Sequence, residues 1–343
     1  MQYEIKDNGR LLDWFGNLLE KGYSKKMVRE YYHEDVKACK LRIKEWDYYL
    51  INNKDYAVAL TVADNGYMGM LSASLIRFKE KSEKTTSVMT FMPLGKFKMP
   101  RSSKEGDVYF KNKRVEVSIK HIERGREIYF SMLEFEKGVN FEARLKLRDE
   151  PAESMVICTP FKKKKHFYYN QKIVGFSAEG DVTVGGELIK FSRRNTQAIL
   201  DWGRGVWTYK NTWYWGAAAG EVDGNKVGFN IGYGFGENEV ATENMIFFNG
   251  KAHKIEHIRF DIPQTKDGKN DYLKPWIVTS SDGRFEMFFE PILNRKAYIS
   301  AGIICSDQNQ VFGKFSGYML LDDYTKIEVK NLLGFAEKVY NKW

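Results

Sequence analysis

Alternation of apolar and polar positions is the dominant pattern along this chain. From residue 139 to residue 148 every odd-numbered position is apolar and every even-numbered position is polar, beginning Val139-Asn140-Phe141-Glu142. A period of two puts one face of a segment on a core and the other face in water, which is typical of a half-buried antiparallel strand. The same alternation occurs at 114–119, 284–289 and 326–330. The pattern therefore predicts an all-β protein.

Turn signals separate these segments at the spacing of hairpins. They are Asp64-Asn65-Gly66, Glu123-Arg124-Gly125, Glu179-Gly180-Asp181, Asp223-Gly224-Asn225, Asn249-Gly250, Asp267-Gly268 and Asp282-Gly283. Each contains residues that tolerate the left-handed backbone conformation of short antiparallel connections. Roughly ten strand candidates lie before residue 178 and roughly ten after residue 181, with short loops between them, which predicts a meander.

Two domains are expected because 343 residues exceed the size at which one core usually keeps growing. We place the division near Glu179-Gly180-Asp181, giving an N-terminal β-barrel over 1–178 and a C-terminal β-barrel over 179–343. Closure into barrels would remove the long unpaired edges that open sheets of this size would leave. Helices are expected to be few and short, and the helix-like windows are Leu11 to Glu20 and Ser24 to Val36.

Composition agrees with strands and excludes several function classes. Aromatic residues make up 15% of the chain, and there are 29 Gly against 7 Pro; both favour pleated, tightly coiled sheets. The net charge of +9 is spread along the chain, so we expect no nucleic-acid partner. The simplest interpretation of the basic run Lys162 to Lys165 is a solvated loop. The alternative is that it binds an anionic ligand or a membrane surface.

Cysteine usage and the apolar runs bear on compartment and cofactors. The three cysteines are Cys39, Cys158 and Cys305, an odd and widely spaced set that predicts neither a disulfide framework nor a metal site. No stretch approaches the roughly 18 apolar residues of a membrane helix. We expect a cytoplasmic protein without a transmembrane segment, a metal or a cofactor, and the sequence predicts no particular protein partner.

The segment from Asp201 to Asn249 differs from the rest of the chain and is the candidate pocket region. Bulky side chains alternate with Gly or Asn over 228–236, so one face of that strand is nearly bare. A bare face lets a strand coil at a barrel corner or leaves room for a ligand. We therefore predict a pocket inside the C-terminal barrel, with aromatic walls at Trp207, Trp213, Trp215 and Tyr233.

Four further polar residues complete the candidate site. Asp201 lies between Leu200 and Trp202 and close in sequence to Arg204. It is either a general acid in a dry site or, as the simpler interpretation, an ion-pair partner of Arg204 at the polar end of the pocket. Glu243 is the second candidate acid, and it and Asn244 would lie at the site mouth, although turn and capping roles are common for such residues.

Several strings together carry a resemblance that spans nearly the whole chain. They are Leu200-Asp201-Trp202-Gly203-Arg204-Gly205-Val206-Trp207, Ala241-Thr242-Glu243-Asn244, Gly250-Lys251-Ala252-His253-Lys254, Lys274-Pro275-Trp276, Phe312-Gly313-Lys314-Phe315-Ser316-Gly317, Leu333-Gly334-Phe335-Ala336-Glu337 and Leu60-Thr61-Val62-Ala63-Asp64. With these strings the chain resembles the bacterial family known as domain of unknown function 2804. More distantly it resembles the carotenoid hydratase (hydroxyneurosporene synthase) group. That resemblance implies two lipocalin-like, calycin-type barrels and an apolar ligand.

Three hypotheses about function follow. The first is a binding module for an apolar or amphipathic small molecule of the isoprenoid or lipid class. The second is an enzyme of hydratase or isomerase type that uses Asp201 or Glu243 as a buried acid on an isoprenoid or lipid double bond. The third is a structural or partner-binding protein, which would have filled barrels and an exposed aromatic patch.

Overall fold

Antiparallel strands make up most of the computed structural model, which describes residues 2–342. The first fifteen strands are β1 (Gly9–Arg10), β2 (Gly22–Ser24), β3 (Arg29–Glu30), β4 (Ile43–Asn52), β5 (Tyr56–Asp64), β6 (Met68–Arg77), β7 (Ser82–Phe91), β8 (Val108–Lys111), β9 (Val115–Ile122), β10 (Gly125–Glu136), β11 (Val139–Arg148), β12 (Met155–Pro160), β13 (Phe167–Val184), β14 (Glu187–Phe191) and β15 (Gln197–Val206). The remaining strands are β16 (Lys210–Val222), β17 (Asn225–Tyr233), β18 (Met245–Phe248), β19 (Lys251–Lys254), β20 (Ile258–Asp261), β21 (Trp276–Ser280), β22 (Phe285–Ala301), β23 (Ile304–Leu320) and β24 (Lys326–Lys342). Two 3-10 helices occupy His33–Asp35 and Lys40–Arg42.

Two large sheets account for nearly all of these strands. The first has the order β7-β6-β5-β4-β15-β13-β11-β10-β9-β8, with β12 and β14 also paired to β13, and the second has the order β19-β18-β17-β16-β24-β23-β22-β21-β20. Most neighbours are consecutive in the chain because tight turns connect them. At Asp223-Gly224 and Asn249-Gly250 both residues have positive φ, the geometry of a two-residue hairpin turn.

Each sheet curls until its ends approach each other. In the first sheet the Thr86 hydroxyl of edge strand β7 donates to the carbonyl of Phe135 in β10, 2.5 Å away. In the second sheet the two end strands are neighbours in the chain, since β19 ends at Lys254 and β20 begins at Ile258. The prediction of an all-β chain with two consecutive curled antiparallel barrels is confirmed.

The alternation of side chains produces three apolar clusters. One fills the first barrel, with Tyr49, Leu60 and Phe141 among its members. Another fills the second barrel and contains Phe229, Ile231, Ile246, Phe260, Trp276, Phe285, Phe289 and Phe315. The third is formed by the outward faces of both sheets, where Tyr48 and Leu50 of β4 meet Trp215 and Phe335 of the second sheet. The barrels therefore pack outer face against outer face.

The sheets change over later in the chain than the division that we predict. Residues 179–181 lie inside the long strand β13, and β15 still belongs to the first sheet. The second sheet begins with β16, so the connection between the sheets is the segment 207–209. A division into units at residue 179 stays a prediction, and the sheet order favours 207–209 as the alternative.

Neither helix-like window forms an α-helix, so that expectation is wrong. In the first window the Asp13 carboxylate accepts hydrogen bonds from the backbone N–H groups of Phe15 and Asn17, each at 2.8 Å, and Gly16 has a φ of 83°. An aspartate that bonds to its own following backbone offers the chain a tight turn in place of a helix. The second window begins at the last residue of β2 and contains β3 and the first 3-10 helix. Within residues 2–342 no helix is long and apolar enough to cross a bilayer.

Candidate functional site

A cavity of about 250 Å³ lies between the two barrels, against the third apolar cluster. Its aromatic walls come from both sheets and the loops next to them: Trp46, Tyr48, Tyr168, Trp207, Trp213, Trp215 and Phe235. Its polar lining includes Lys172, Asp201, Glu243, Arg295, Gln310 and Glu337. The bulky side chains of the second barrel interior face the other way. The cavity is thus an inter-barrel pocket and not the interior of the C-terminal barrel that we predict.

The aromatic wall is held by edge-to-face ring contacts. The ring centroid of Trp207 lies 4.9 Å from that of Trp46 and 4.8 Å from that of Phe235. Gly203 makes this arrangement possible, because a Cβ at that position would lie 1.9 Å from the Trp46 ring. The glycine between Trp202 and Arg204 in the sequence is therefore explained by the close approach of a tryptophan from the neighbouring strand β4.

Asp201 is buried at the pocket but does not pair with Arg204. Its Oδ2 lies 2.8 Å from the Nζ of Lys172, and its Oδ1 accepts a hydrogen bond of 2.6 Å from Asn170. Arg204 instead pairs with Asp47, at 3.0 Å. The reason is the strand period: residues three apart in β15 point to opposite faces, so Asp201 faces the cavity and Arg204 the first barrel.

Lys172 is the cation at the centre of the pocket's charges. It is 3% exposed, and its Nζ lies 3.8 Å from the centre of the Trp215 ring. Besides its ion pair with Asp201, it acts electrostatically on Glu243 and Glu337, and in each case it lowers the pKa of the carboxyl. A single amine thus interacts electrostatically with three buried carboxyl groups. Within the described residues there is no cluster of side chains that could hold a metal ion.

Glu337 is a buried acid of the pocket with a strongly raised pKa. Burial raises its pKa to about 7, although Trp213, Lys172 and Arg295 each act to lower it. Its Oε1 accepts from the indole N–H of Trp213 and its Oε2 from the side-chain amide of Gln310, both at 3.1 Å. A carboxyl that holds its proton near neutral pH in a dry site can donate that proton to a bound molecule.

Glu243 is linked to the aromatic wall through Asn230. Asn230 donates to the backbone carbonyl of Glu243 at 2.8 Å and accepts from the indole N–H of Trp215 at 2.7 Å. Burial raises the pKa of the Glu243 carboxyl, which lines the cavity. The Asn of the bare strand face therefore fixes both a wall tryptophan and an acidic residue.

Only part of the predicted site lines the cavity. Asp201, Glu243, Trp207, Trp213 and Trp215 line it. The structure places the remaining three predicted residues, Arg204, Tyr233 and Asn244, elsewhere.

Each of these three residues packs or bonds within one barrel. Arg204 is buried in the first barrel, with its guanidinium 4.1 Å from the centre of the Trp202 ring. Tyr233 stacks on Tyr214 with a ring separation of 4.5 Å, against the second barrel core. Asn244 accepts from the N–H of Gly232 and donates to the carbonyl of Glu256, so its side chain fastens backbone segments together.

Sequence reasoning also missed part of the site, chiefly Lys172, Glu337 and Arg295. Their signal is a charged residue on the apolar face of an alternating strand. In β24 the positions 333, 335, 337 and 339 share one face, and Glu337 interrupts Leu333, Phe335 and Val339. The alternation therefore places Glu337 on the face of β24 that is buried between the barrels.

The fold and the pocket define a class of twin-barrel proteins whose cavity lies between two curled antiparallel sheets. A solved structure with this fold is that of an AttH candidate from Nitrosomonas europaea, 11% identical, with 90% of this chain and 93% of that chain covered and a TM-score of 0.53. Kievitone hydratase from Nectria haematococca is 11% identical over 88% of each chain, with a TM-score of 0.46. CghA with Sch210972 is 9% identical over 88% of each chain, with a TM-score of 0.41.

The chain belongs to the family described as Domain of unknown function (DUF2804), whose model matches residues 2–343. The predicted family is thereby confirmed. No curated protein matches the chain in sequence.

Proposed function

We propose that this protein binds an apolar or amphipathic small molecule, of the isoprenoid or lipid class, in the pocket between its barrels. The observation that carries the proposal is a cavity of about 250 Å³ lined by seven aromatic side chains together with a cluster that includes Lys172, Asp201 and Glu337. Aromatic walls supply burial energy without demanding many directed hydrogen bonds. The ligand would lay its apolar part on Trp207, Trp213 and Trp215.

The polar end of the ligand would meet the group formed by Lys172, Asp201 and Glu337. These side chains supply one ammonium and two carboxyl groups within a largely apolar pocket. Such a set suits a hydroxyl group, which can donate to a carboxylate, and equally a carbonyl group, which can accept from Lys172 or from a protonated carboxyl. A long saturated chain without a polar group would form no hydrogen bond with these side chains, so we expect weaker binding of pure hydrocarbons.

Titration of tryptophan fluorescence with isoprenoid alcohols and fatty acids tests the binding proposal. Ala297 lines the cavity on β22, and its neighbour Lys296 points to the opposite face of the strand. We expect A297F to abolish the fluorescence change by filling the cavity and K296F to leave it intact. A flat titration of the unmodified chain across the panel, with no molecule retained in mass spectra of the purified protein, would remove the proposal.

A second candidate function is an acid-catalysed reaction at a double bond of the bound molecule. The observation that favours it is Glu337, whose pKa of about 7 leaves a large protonated fraction at neutral pH. In such a reaction the Glu337 carboxyl would protonate an alkene carbon, and the Asp201 carboxylate would accept a proton from a water or from the adjacent carbon. Glu243 is the alternative acid.

The enzyme hypothesis is tested by product formation in an extract that depends on this protein. We expect E337Q to abolish product and the unmodified protein to lose activity as the pH rises through about 7, since the acid then ionises. The exposed Glu286 supplies the matched control E286Q, which should keep full activity. Unchanged product formation by E337Q, D201N and E243Q would show that the acids are structural.

The compartment that we propose is the cytoplasm. The free thiols of Cys39, Cys158 and Cys305 support a reducing environment. We propose no resident metal or cofactor for the pocket. Labelling of intact cells with a membrane-impermeant thiol reagent tests the compartment: the exposed Cys39 should stay unmodified.

A further inference from the structure

Strand registers bring several loops to one end of the molecule. In the first sheet Glu45 near the start of β4 pairs with Asp64 at the end of β5, and Val206 at the end of β15 pairs with Ile43 and with Phe167. In the second sheet the start of β16 pairs with the end of β24, which in turn pairs with the start of β23. We call this end of the molecule the mouth face and define it by residues 13–21, 91–98, 160–167, 207–210, 234–239, 301–304 and 342.

The cavity opens toward this face. Strands β7 and β22 run side by side along the pocket, since Arg295 donates to the Thr85 hydroxyl at 3.3 Å. From that contact the lining continues along both strands to Met89 and Ile299, which are 43% and 50% exposed. Beyond them the strands end in the mouth face, so a ligand would enter there.

Large apolar side chains of the mouth face stand in solvent. Trp14 is 89% exposed and Phe15 is 68% exposed, at the tip of the turn that Asp13 holds. Phe91, at the end of β7, is 88% exposed, and Ile303, in the hairpin after β22, is 74% exposed. Isolated exposed apolar residues need no explanation. These four belong to loops at the same end of the molecule, and we call them together the apolar patch.

Cations surround this apolar patch. The turn that contains Lys162–Lys165 faces the loop of Gly16 and Lys21 across a shallow groove. All four lysines of the run are exposed. Lys210 and Lys342 are paired across β16 and β24, beside Tyr209, whose hydroxyl donates to the carbonyl of Ile303.

The acids of this face are fewer than its lysines. Glu237 lines the same groove, and Glu239 is exposed in the loop after β17. Asp13 is occupied by its turn, and Asn17 and the backbone of Phe15 lower the pKa of its carboxyl. The mouth face is therefore apolar at its tips and positive around them.

We propose that the mouth face docks on the surface of an anionic lipid bilayer, with Trp14, Phe15, Phe91 and Ile303 inserted at the headgroup level. Exposed aromatic residues prefer this interface, and each lysine near an anionic surface contributes attraction. A protein partner would need a shaped counterpart, whereas loop tips ringed by flexible lysines suit a fluid anionic surface. Docking would place the opening of the pocket against the lipid phase, from which an apolar molecule can enter without crossing water.

Flotation with vesicles tests the docking proposal on the full chain. We expect binding to vesicles of equal parts phosphatidylcholine and phosphatidylglycerol, and little binding to phosphatidylcholine alone. The double variant F91S/I303S should lower the vesicle partition coefficient by about tenfold or more, because two apolar side chains no longer insert. Replacing Lys162 to Lys165 by glutamine should lower it by roughly a hundredfold and weaken its salt dependence.

Matched controls come from the opposite end of both sheets. Leu188 follows the hairpin after β13 and is 54% exposed, and Tyr324 lies in the turn before β24 and is 74% exposed. L188S and Y324S should bind vesicles like the unmodified chain. Equal binding by the mouth-face variants, binding to neither vesicle, or binding to duplex DNA in place of vesicles would each overturn the proposal. Ligand titration of F91S/I303S without vesicles separates this proposal from pocket binding, since neither residue lines the cavity.

Discussion

The barrel interiors and the space between the barrels are built by opposite faces of the same strands. On β4 the inward residues Tyr49 and Ile51 pack in a filled core, while Tyr48 faces the cavity. The interiors hold mainly apolar side chains, whereas the inter-barrel space holds Lys172 and three carboxyl groups beside aromatic rings. Both faces of these strands therefore contribute to the stability of the fold. The buried charged groups at the cavity come from the outward faces.

The largest effect is expected from truncating a large side chain in the filled interior of a barrel. Trp276 is completely buried in the second barrel, with its ring 5.3 Å from Phe289. W276A should lower the free energy of unfolding by about 4 kcal/mol, because it leaves a cavity among packed rings. Urea unfolding followed by circular dichroism measures this change. If ligand binding in solution is lost while the unfolding free energy stays unchanged, the assignment of Trp276 to the core is wrong.

The second prediction concerns the buried ion pair of the pocket. K172M leaves the carboxylate of Asp201 without its cation and should cost about 3 kcal/mol of unfolding free energy. The double variant K172M/D201N should recover part of that loss, since both buried charges are then removed. The same urea titrations measure both variants. Equal destabilisation by the single and double variants would contradict the assigned coupling.

The third prediction is a pH dependence carried by Glu337. In the folded chain its pKa is about 7, against an ordinary value of 4.5 in the unfolded chain. The unfolded state therefore releases this proton first as the pH rises, and stability falls across that window. Between pH 5 and pH 7 the unmodified protein should lose about 2 kcal/mol more than E337Q does.

Lys254 provides a control for that experiment, because its titration should change the stability with pH in the opposite direction. Burial lowers its pKa to about 7, although the carboxylates of Glu256, Asp282 and Glu243 act to raise it. Because the unfolded chain keeps this proton to higher pH, its contribution to stability rises above pH 7. K254M should change the slope above pH 7 and leave the slope between pH 5 and pH 7 unchanged. Parallel pH curves for E337Q and the unmodified chain would contradict the raised pKa of Glu337.

The smallest effect is expected from removing one hydrogen bond of the pocket wall. W213F keeps an aromatic ring but loses the indole N–H that donates to Glu337. Stability at pH 7 should fall by about 1 kcal/mol, the usual net value of one hydrogen bond. Thermal unfolding measures this change, with W14F as the matched exposed control. A loss comparable to that of W276A would place Trp213 in the core.

Much of the fold could be predicted from residues that act locally. The alternating segment 139–148 forms strand β11, and the pairs Asp223-Gly224 and Asn249-Gly250 form hairpin turns. The helix-like window at Leu11 was misread because a single side chain, Asp13, redirects its own backbone. Local chemistry decided both the confirmed strands and the missed turn.

The site was harder to predict because it depends on which faces meet. The tryptophans at 207, 213 and 215 line the cavity, but the ion pair of Asp201 required knowing that β13 lies beside β15 and brings Lys172 opposite it. Glu337 comes from the last strand, 136 positions after Asp201 in the numbering. No spacing along the chain indicates that these residues meet.

The sequence by itself determined most of the strands, the hairpin turns and which residues of a strand share a face, because a period of two and left-handed turn residues act over a few positions. Only the tertiary structure decided that the outward faces of the two barrels pack together. That contact buries Lys172, Asp201, Glu243 and Glu337 in one pocket and raises the pKa of Glu337, since removal of water around a charge depends on which surfaces come together in space.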